Sequence, residues 1–329
     1  MKSSNNKCIC VILFLFFVVE LFILKMQKQI EQNKINIKLN SAGLSHVPSE
    51  DKFHIFLVWK GQHIPNIYLK AFETLVKFHQ NAEIMILSNE LETKIFSGYN
   101  NSKNIFIVKY NLTQMVYQQP GYDFVEKAVK ILNGQNINNL VVTPVHISDF
   151  LRYFLVYSYG GLYLDFDMFV LRNLESYKNT IGVDQNKSHV CSKKVYDSPK
   201  AKQFTCLCNC MFSFDRHHPF LEHALTIYEK WWSECQGYGP GGGTMLFTLL
   251  EYYYDKINFM PNEYWICNKY IRVRNNELDD SSPAIQDAIN NCFVFHFYGS
   301  GDPNFKIENI EKTLLGRVYN RISYYSLNK

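Results

Sequence analysis

The chain has 329 residues, of which 47% are hydrophobic and 16% aromatic, so it can bury a large apolar core. Its formal net charge at pH 7 is +4, and residues 1–40 account for it with six lysines and two glutamates. Because the rest of the chain carries equal numbers of basic and acidic side chains, its composition argues against a nucleic-acid partner.

The N-terminal part has the pattern of a membrane anchor. Residues 8–24, CICVILFLFFVVELFIL, are apolar except for Glu20, which is typical of a membrane-spanning helix. A cleaved signal peptide is the alternative, but no small residues suitable for cleavage follow this segment. We therefore predict a cytoplasmic tail over 1–7, a transmembrane signal anchor over 8–24, a polar stem over 25–50 and a lumenal domain over 51–329.

Cysteine usage agrees with a lumenal, oxidising location. The CLCNC stretch at 206–210 has one residue between cysteines rather than the two that are usual in zinc pairs, so disulfides are favoured over a zinc site. The chain beyond the anchor holds seven cysteines, at positions 191, 206, 208, 210, 235, 267 and 292. Three sequons are also consistent with secretion and lie at Asn100, Asn111 and Asn186.

Strand and helix patterns alternate along the first part of the predicted domain. Short apolar runs predict strands at 53–59, 82–88 and 104–111. Apolar residues at helical spacing after a proline predict a helix over 65–80. This alternation predicts an α/β fold with a largely parallel sheet.

The second part continues this pattern. An amphipathic helix over 146–161 ends in a double glycine, and a strand over 161–167 follows it. A Cys-rich segment over 184–210 comes next. The remaining predictions are a strand over 209–215, a helix from Pro219 to about Trp232, a flexible loop over 237–243, a helix over 244–254, a strand over 293–299 and a C-terminal helix.

Two aspartates end the strand over 161–167. In a strand of period two, Asp165 and Asp167 project to one face, where their charges repel unless a cation lies between them. A hard divalent cation, with phosphate oxygens as further ligands, meets this need. The alternatives are a charged strand end paired with Lys or Arg, and a phosphatase-type nucleophile. Phe169 argues against the phosphatase, because that pattern requires Thr or Val at this position.

The preceding helix adds a carboxylate and a guanidinium. Asp149 and Arg152 are spaced i, i+3 and therefore share a face of the helix. An intrahelical ion pair is one interpretation. The other is that both side chains point to the place where Asp165 and Asp167 emerge, since Arg suits phosphate oxygens and Asp suits sugar hydroxyls.

These residues carry a resemblance to a known family. The pattern Ser148-Asp149-x-x-Arg152, followed by Gly160-Gly161-x-Tyr163-x-Asp165-x-Asp167, resembles the sugar-nucleotide-binding region of DXD glycosyltransferases. It is most similar to the α-1,4-galactosyltransferase and α-1,4-N-acetylglucosaminyltransferase group of Golgi type II enzymes. Further blocks with this resemblance lie at 209–225, 237–247, 257–266 and 294–301. Val58-Trp59-Lys60 departs from that group toward mannosyltransferase-like relatives, and Cys210 replaces a glycine.

The resemblance implies a GT-A type, Rossmann-like mixed sheet flanked by helices. It implies a retaining transfer of a hexose or N-acetylhexosamine, with galactose and an α-1,4 linkage expected, from a UDP-sugar to a glycolipid or glycan acceptor. Mn²⁺ or another divalent cation is expected as cofactor, and the Golgi membrane as location. The alternatives are a GDP-mannose-dependent sphingolipid mannosyltransferase of the inositol phosphoceramide type and a catalytically silent lumenal binding protein.

The resemblance also implies roles for individual residues around the metal. Asp165 and Asp167 are expected to hold the cation and, with Arg152, to serve catalysis. His296 is a candidate third metal ligand, although a histidine in an aromatic strand also fits a packed core position.

A second group is expected to contact the nucleotide-sugar. Asp149 and Arg152 are assigned to the ribose or the sugar, and Tyr163 to the neighbourhood of the nucleotide. Trp59, at the end of the first strand, is a candidate for stacking on the base, with a core position as the alternative.

Overall fold

The computed structural model describes residues 43–99, 102–184, 206–234, 242–267 and 290–297, together with residues 283, 316, 319 and 320. The predicted tail, the anchor, most of the stem, the sequons at Asn100 and Asn186 and most of the 237–243 loop lie outside these residues, as does most of the predicted C-terminal helix. Within the described part of the chain, no helix has the length and apolarity needed to span a membrane.

Nine strands are present in the described residues. They are β1 (His54–Val58), β2 (Glu83–Leu87), β3 (Ile105–Val108), β4 (Gly161–Leu164), β5 (Met168–Val170), β6 (Thr180–Asp184), β7 (Cys206–Phe214), β8 (Asn258–Pro261) and β9 (Val294–His296). The strands predicted at 53–59, 82–88, 104–111, 209–215 and 293–299 are confirmed, with β7 beginning earlier than predicted.

Eight α-helices accompany these strands in the same part of the chain. They are α1 (Asn66–Phe78), α2 (Leu112–Val116), α3 (Tyr122–Leu132), α4 (Pro144–Tyr159), α5 (Pro219–Glu234), α6 (Gly243–Thr248), α7 (Leu250–Tyr253) and α8 (Asn262–Trp265). The helices predicted at 65–80, 146–161 and 219–232 are confirmed. The helix predicted over 244–254 is two short helices, α6 and α7, and α2 and α3 were not predicted.

Seven strands form one mixed sheet in the order β3-β2-β1-β4-β7-β6-β8. The pairs β3–β2, β2–β1 and β1–β4 are parallel, whereas β7 is antiparallel to both β4 and β6. The α/β class and the mixed sheet are confirmed, and the largely parallel arrangement holds for the β3-to-β4 half. Because β1 and β4 are parallel neighbours, their carboxyl ends meet at one edge, where ligands bind in such sheets.

Helices cover both faces of this sheet and bury two apolar layers. Ile55 and Leu57 of β1 face one layer and Phe56 faces the other, as the two-residue period of a strand requires. Helix α1 lies in the layer of Ile55 and Leu57, and α4 and α5 lie in the layer of Phe56. The elements that lead to the double-aspartate stretch are therefore among the most buried of the described chain.

Helix α4 has well-defined ends. Thr143 caps its start, where its hydroxyl oxygen accepts a hydrogen bond from the His146 amide, and Pro144 occupies the first turn. Gly160 ends the helix at a φ of 70°. Gly161, at a φ of 111°, begins β4 so close to β1 that a Cβ would lie 2.4 Å from the carbonyl oxygen of His54. The two glycines therefore fix where α4 stops and β4 starts.

Candidate functional site

The double-aspartate stretch lies in a turn rather than on a strand. Strand β4 ends at Leu164, residues 165–167 turn, and β5 begins at Met168. The predicted strand over 161–167 is therefore too long, and Asp165 and Asp167 are not placed by the two-residue period of a strand. A turn allows both carboxylates to point to the same side while Phe166, 5% exposed, packs into the core.

Strand pairing brings His296 to this turn. Strands β5 and β9 are antiparallel, with Met168 opposite His296, so the histidine lies beside Asp167. The His296 Nε2 atom is 3.1 Å from Asp167 Oδ1. One potential ligand atom from each of Asp165, Asp167 and His296 lies within 4.8 Å of the other two. The structure thus brings together the three residues predicted to bind the metal.

The chemistry of these three side chains fits a divalent cation. Two carboxylates supply hard oxygen ligands, and an imidazole is a common ligand of Mn²⁺ or Zn²⁺-like ions. Asp167 and His296 are buried at 7% and 6% exposure, whereas Asp165 is partly exposed, so the group has one open side. Burial raises the pKa of Asp165, and the negative charge of Asp167 raises it further. A bound cation relieves this repulsion between carboxylates.

Asp165 is held from three directions. The Tyr163 hydroxyl donates a hydrogen bond to Asp165 Oδ1 at 2.6 Å, and the Asp165 amide donates to the Cys210 carbonyl at 2.9 Å. Arg152 Nη2 lies 3.5 Å from the same Oδ1. Tyr163 is 1% exposed, so it is a buried support of the carboxylate. These contacts fix the backbone of Asp165 and its Oδ1 atom.

Arg152 lies behind the two aspartates and is 6% exposed. Its Nη1 donates to the Asn209 carbonyl at 2.9 Å, and its Nη2 lies 3.1 Å from Asp149 Oδ1. The guanidinium also stacks over the Tyr163 ring at 4.8 Å. Burial lowers the pKa of Arg152, but its negative neighbours, led by Asp165, outweigh burial and raise the pKa well above the ordinary value. Arg152 is therefore a permanently charged support for Asp165.

Asp149 is the deepest of the predicted site residues that carry a charge, at 3% exposure. The predicted ion pair with Arg152 is present, and Asn209 Nδ2 also donates to Asp149 Oδ1 at 3.0 Å. Burial raises the pKa of Asp149, although the charge of Arg152 opposes this. Asp149 and Arg152 form the predicted intrahelical ion pair. Arg152 also points toward the aspartates, as the other interpretation expected, since its Nη2 lies near Asp165.

Trp59 lies at the carboxyl end of β1, beside the aspartate turn. Its ring packs edge-on against Tyr68 and Phe166, with centroids 5.2 Å away in each case. Trp59 is half-buried, so stacking on a base stays a prediction. Tyr68 was not singled out in the sequence, yet burial and the charge of Asp167 raise its pKa to about 12. It therefore presents a neutral hydroxyl near the aspartates.

Sequence reasoning also missed the part played by Asn209. This residue contacts Asp149 through its side chain and Arg152 through its carbonyl. It lies in the CLCNC stretch, where the predicted disulfide chemistry is confirmed by a Cys208–Cys210 bond. A second disulfide joins Cys267 to Cys292. No local sequence pattern indicates that Asn209 contacts Asp149 and Arg152 of α4, because these contacts depend on the position of β7 in the sheet.

A family comparison matches the centre of the chain. Residues 65–187 match the model of the glycosyltransferase sugar-binding region containing DXD motif. The match covers less than half of the chain, and it includes Asp149, Arg152, Tyr163, Asp165 and Asp167. It supports a glycosyltransferase relationship for the region that holds both aspartates.

One curated relative is similar over a longer stretch. An uncharacterized protein from Arabidopsis thaliana is 25% identical over 267 residues, which make up 75% of this chain and 38% of that protein. This chain therefore spans well under half the length of that relative.

Three solved glycosyltransferase structures are similar at low identity. The PaToxG glycosyltransferase is 16% identical, with 83% of this chain and 87% of that chain covered and a TM-score of 0.40. The galactosyltransferase LgtC, in complex with donor and acceptor sugar analogs, is 13% identical, with 83% and 96% covered and a TM-score of 0.41. The WbbM bifunctional glycosyltransferase is 12% identical, with 84% and 53% covered and a TM-score of 0.44. At such scores, residue roles rest on this chain's own geometry.

Proposed function

We propose that this chain is a GT-A type, retaining glycosyltransferase that uses a divalent cation. The observation that carries the proposal is the convergence of Asp165, Asp167 and His296, two of which lie in the region similar to DXD glycosyltransferases. The proposed donor is a UDP-sugar carrying a hexose or N-acetylhexosamine, with galactose and an α-1,4 linkage as the specific expectation. The proposed acceptor is a glycolipid or glycan.

Each residue of the site has a distinct task in this proposal. Asp165, Asp167 and His296 hold Mn²⁺ or another divalent cation, which when bound neutralises charge on the departing nucleoside diphosphate. Arg152 and Tyr163 keep the Asp165 carboxylate in place, and Asp149 keeps Arg152 in place. Phe166 and Trp59 form an apolar wall beside the aspartates. These residues together prepare a low-dielectric site in which charge stabilisation is strong.

The proposed transfer keeps the configuration at the anomeric carbon. The acceptor hydroxyl oxygen forms the new glycosidic bond on the same face from which the diphosphate departs. The bond between the anomeric carbon and the phosphate oxygen breaks, and its electron pair goes to the diphosphate. The hydroxyl proton moves to a phosphate oxygen of the leaving group. This front-face route needs no carboxylate nucleophile from the chain.

The proposed location is the Golgi membrane, with residues 8–24 as the anchor and the domain in the lumen. The apolar character of that segment and two disulfides support it, because disulfides persist in oxidising compartments. Protease protection of the domain in sealed microsomes is the expected result, and cleavage without detergent would contradict the lumenal orientation.

A donor screen with the full chain in detergent tests the activity. UDP-Gal, UDP-GalNAc, UDP-GlcNAc, UDP-Glc and GDP-Man are incubated with Mn²⁺, and release of nucleoside diphosphate is measured. Hydrolysis of a UDP-sugar supports the proposed donor class. Hydrolysis of GDP-Man alone favours the sphingolipid mannosyltransferase alternative, for which Val58-Trp59-Lys60 is the sequence observation. Nucleotide binding without hydrolysis favours a silent binding protein.

The metal assignment has its own prediction. Asp165→Asn removes the negative charge of one proposed ligand and replaces one of its two oxygens by an amide nitrogen, so Mn²⁺-dependent hydrolysis is expected to fall about a hundredfold or more. Asp123→Asn is the matched control, because Asp123 is an exposed acid in the first turn of α3. Wild-type rates in Asp165→Asn would refute the assignment of this residue to the metal.

A further inference from the structure

Strand β7 carries a three-residue bulge relative to β6 beside the site. On β6, Ile181 pairs with Phe212 and the next residue, Gly182, pairs with Cys208. Residues 209–211 of β7 therefore have no opposite partners on β6, although β7 still pairs with β4 there, with Leu164 opposite Met211. A bulge of this kind redirects side chains and backbone groups toward a functional site.

The bulge residues contact the supports of Asp165. The Asn209 carbonyl accepts a hydrogen bond from Arg152, and the Asn209 side chain donates to Asp149. The Cys210 carbonyl accepts the hydrogen bond of the Asp165 amide at 2.9 Å. Two consecutive residues of the bulge thus hold the aspartate turn. Cys210 binds the backbone amide of Asp165, and Asn209 binds the buried guanidinium of Arg152.

A disulfide closes this bulge. Cys208 and Cys210 are bonded with one residue, Asn209, between them. Such a short loop has little closure entropy, so the bond restricts the unfolded chain only slightly and its main effect is on local geometry. Cys210 is 7% exposed, whereas Cys208 is partly exposed, so Cys208 is the less buried partner of the pair.

We propose that the Cys208–Cys210 disulfide is a positioning device for the cation site and makes cation affinity depend on the redox state of this pair. With the bond formed, the bulge keeps the Asn209 carbonyl within hydrogen-bond distance of Arg152 and the Cys210 carbonyl within hydrogen-bond distance of the Asp165 amide. With the bond reduced, the bulge relaxes and Asp165 loses a fixed orientation. The inference rests on the proposed function, in which Asp165 is a metal ligand.

The redox step uses a dithiol as reductant. A thiolate of the dithiol attacks the Cys208 sulfur, and the Cys210 sulfur leaves as a thiolate that takes up a proton. The second thiol of the reductant then displaces Cys208. The protein gains two electrons and two protons and ends with two thiols, while the reductant becomes a cyclic disulfide.

The experiment compares the full-length wild type with the Cys208→Ser/Cys210→Ser variant. Amide hydrogen exchange at Asp165 reports directly on its bond to the Cys210 carbonyl. Mn²⁺ affinity, measured by electron paramagnetic resonance without nucleotide, reports on the ligand geometry. In the variant, Asp165 exchange is expected to be about tenfold faster and the Mn²⁺ Kd about tenfold higher, as for the loss of groups that support metal ligands.

Cys267→Ser/Cys292→Ser is the matched control, since it removes the other described disulfide. Its Asp165 amide exchange is expected to equal that of the wild type. In the Cys267→Ser/Cys292→Ser protein, Cys208–Cys210 is the one disulfide of the described residues that dithiothreitol can still reduce. The same tenfold changes in Asp165 exchange and Mn²⁺ Kd are expected on this reduction. This measurement tests the proposal even where the Cys208→Ser/Cys210→Ser variant does not fold.

The outcomes separate this proposal from the proposed function. Unchanged Asp165 exchange and unchanged Mn²⁺ Kd, in both the serine variant and the reduced control, would overturn the positioning role. If the oxidised wild type binds Mn²⁺ and neither UDP nor GDP strengthens this binding, the nucleotide-sugar function is overturned. Asp165 amide exchange and the Mn²⁺ Kd still decide the positioning role of the disulfide in that case. A wild type that binds no Mn²⁺ would overturn both.

Discussion

Asp165 illustrates how single residues determine this site. Its carboxylate is partly exposed, yet its backbone and one oxygen are held by buried groups. Burial and Asp167 raise its pKa, and Arg152 with Tyr163 act in the opposite direction. The geometry therefore places two acids where they repel each other, which is the arrangement that a cation stabilises.

Tyr163→Phe tests this support at the scale of one hydroxyl. The ring under Arg152 is retained, but the 2.6 Å hydrogen bond to Asp165 is lost. The free energy of unfolding is expected to fall by about 1–2 kcal/mol. The Mn²⁺ affinity is expected to fall about tenfold. Urea unfolding and Mn²⁺ titration measure the two effects.

Tyr117→Phe provides the comparison for that variant, because Tyr117 is 58% exposed. Neither quantity is expected to change in it. A Tyr163→Phe protein that loses stability but keeps wild-type Mn²⁺ affinity would show that Tyr163 supports the core and not the metal site.

At the scale of elements, the junction of α4 and β4 positions the aspartate turn. Helix α4 carries Asp149 and Arg152, and β4 carries Tyr163 and leads directly into Asp165. The two elements are joined by Gly160 and Gly161, both at positive φ. Any displacement at this junction moves the charged groups on α4 relative to the aspartates on the turn.

Gly161→Ala is expected to disrupt this junction. Its φ is 111°, and a Cβ would lie 2.4 Å from the His54 carbonyl oxygen, so both strain and a backbone clash oppose the substitution. We expect a loss of about 3 kcal/mol or more in the free energy of unfolding. Urea unfolding measures this loss.

Gly134→Ala separates the two causes, since Gly134 has a φ of 87° but no atom within 4 Å of its would-be Cβ. Its expected cost is about 1 kcal/mol, which is the strain alone. Equal losses in the two variants would show that the approach of β4 to β1 is not tight.

At the scale of the whole molecule, a buried carboxylate joins the segment before β1 to the central sheet. Glu83, 2% exposed at the start of β2, accepts hydrogen bonds from the Ser49 amide at 2.8 Å and hydroxyl at 2.7 Å. His46 Nε2 lies 2.5 Å away and His54 Nε2 lies 3.9 Å away. Burial raises the pKa of Glu83, but the bonds from His46 and Ser49 outweigh it and lower the pKa below its ordinary value.

The lowered pKa has a defined consequence for stability. Because the folded state binds the Glu83 proton more weakly than the unfolded state, this carboxylate stabilises the fold above its ordinary pKa. The contribution is lost as the pH falls through the lower, folded pKa. Glu83→Gln is therefore expected to cost about 1–3 kcal/mol at pH 7, and this cost is expected to shrink as the pH is lowered toward about 3.

Urea unfolding of wild type and variant at the two pH values gives this difference. Glu126→Gln is the control, because Glu126 forms an exposed i, i+4 pair with Lys130. It is expected to change stability by less than about 0.5 kcal/mol at either pH. A Glu83→Gln cost that stays constant with pH would contradict the linkage to this carboxylate.

The sequence by itself determined what depends on neighbours along the chain. The alternation of strands and helices, the stop of α4 at a double glycine and the i, i+3 pair of Asp149 and Arg152 follow from local periodicity and backbone preference. The nearness of Asp165 to Asp167 is also local, although the strand ends at Leu164, earlier than its apolar pattern predicts.

Only the tertiary structure decided which distant residues join them. His296 reaches Asp167 because β9 pairs with β5 in one register, and Asn209 reaches Arg152 because β7, which lies between β4 and β6, bulges at this position. Register and bulge depend on contacts between strands far apart in sequence, which no local pattern encodes. For that physical reason the local pattern predicted the aspartates as a pair and placed Asp149 and Arg152 on one helix face. His296 was indicated only through the family resemblance, and the contacts of Asn209 were not predicted.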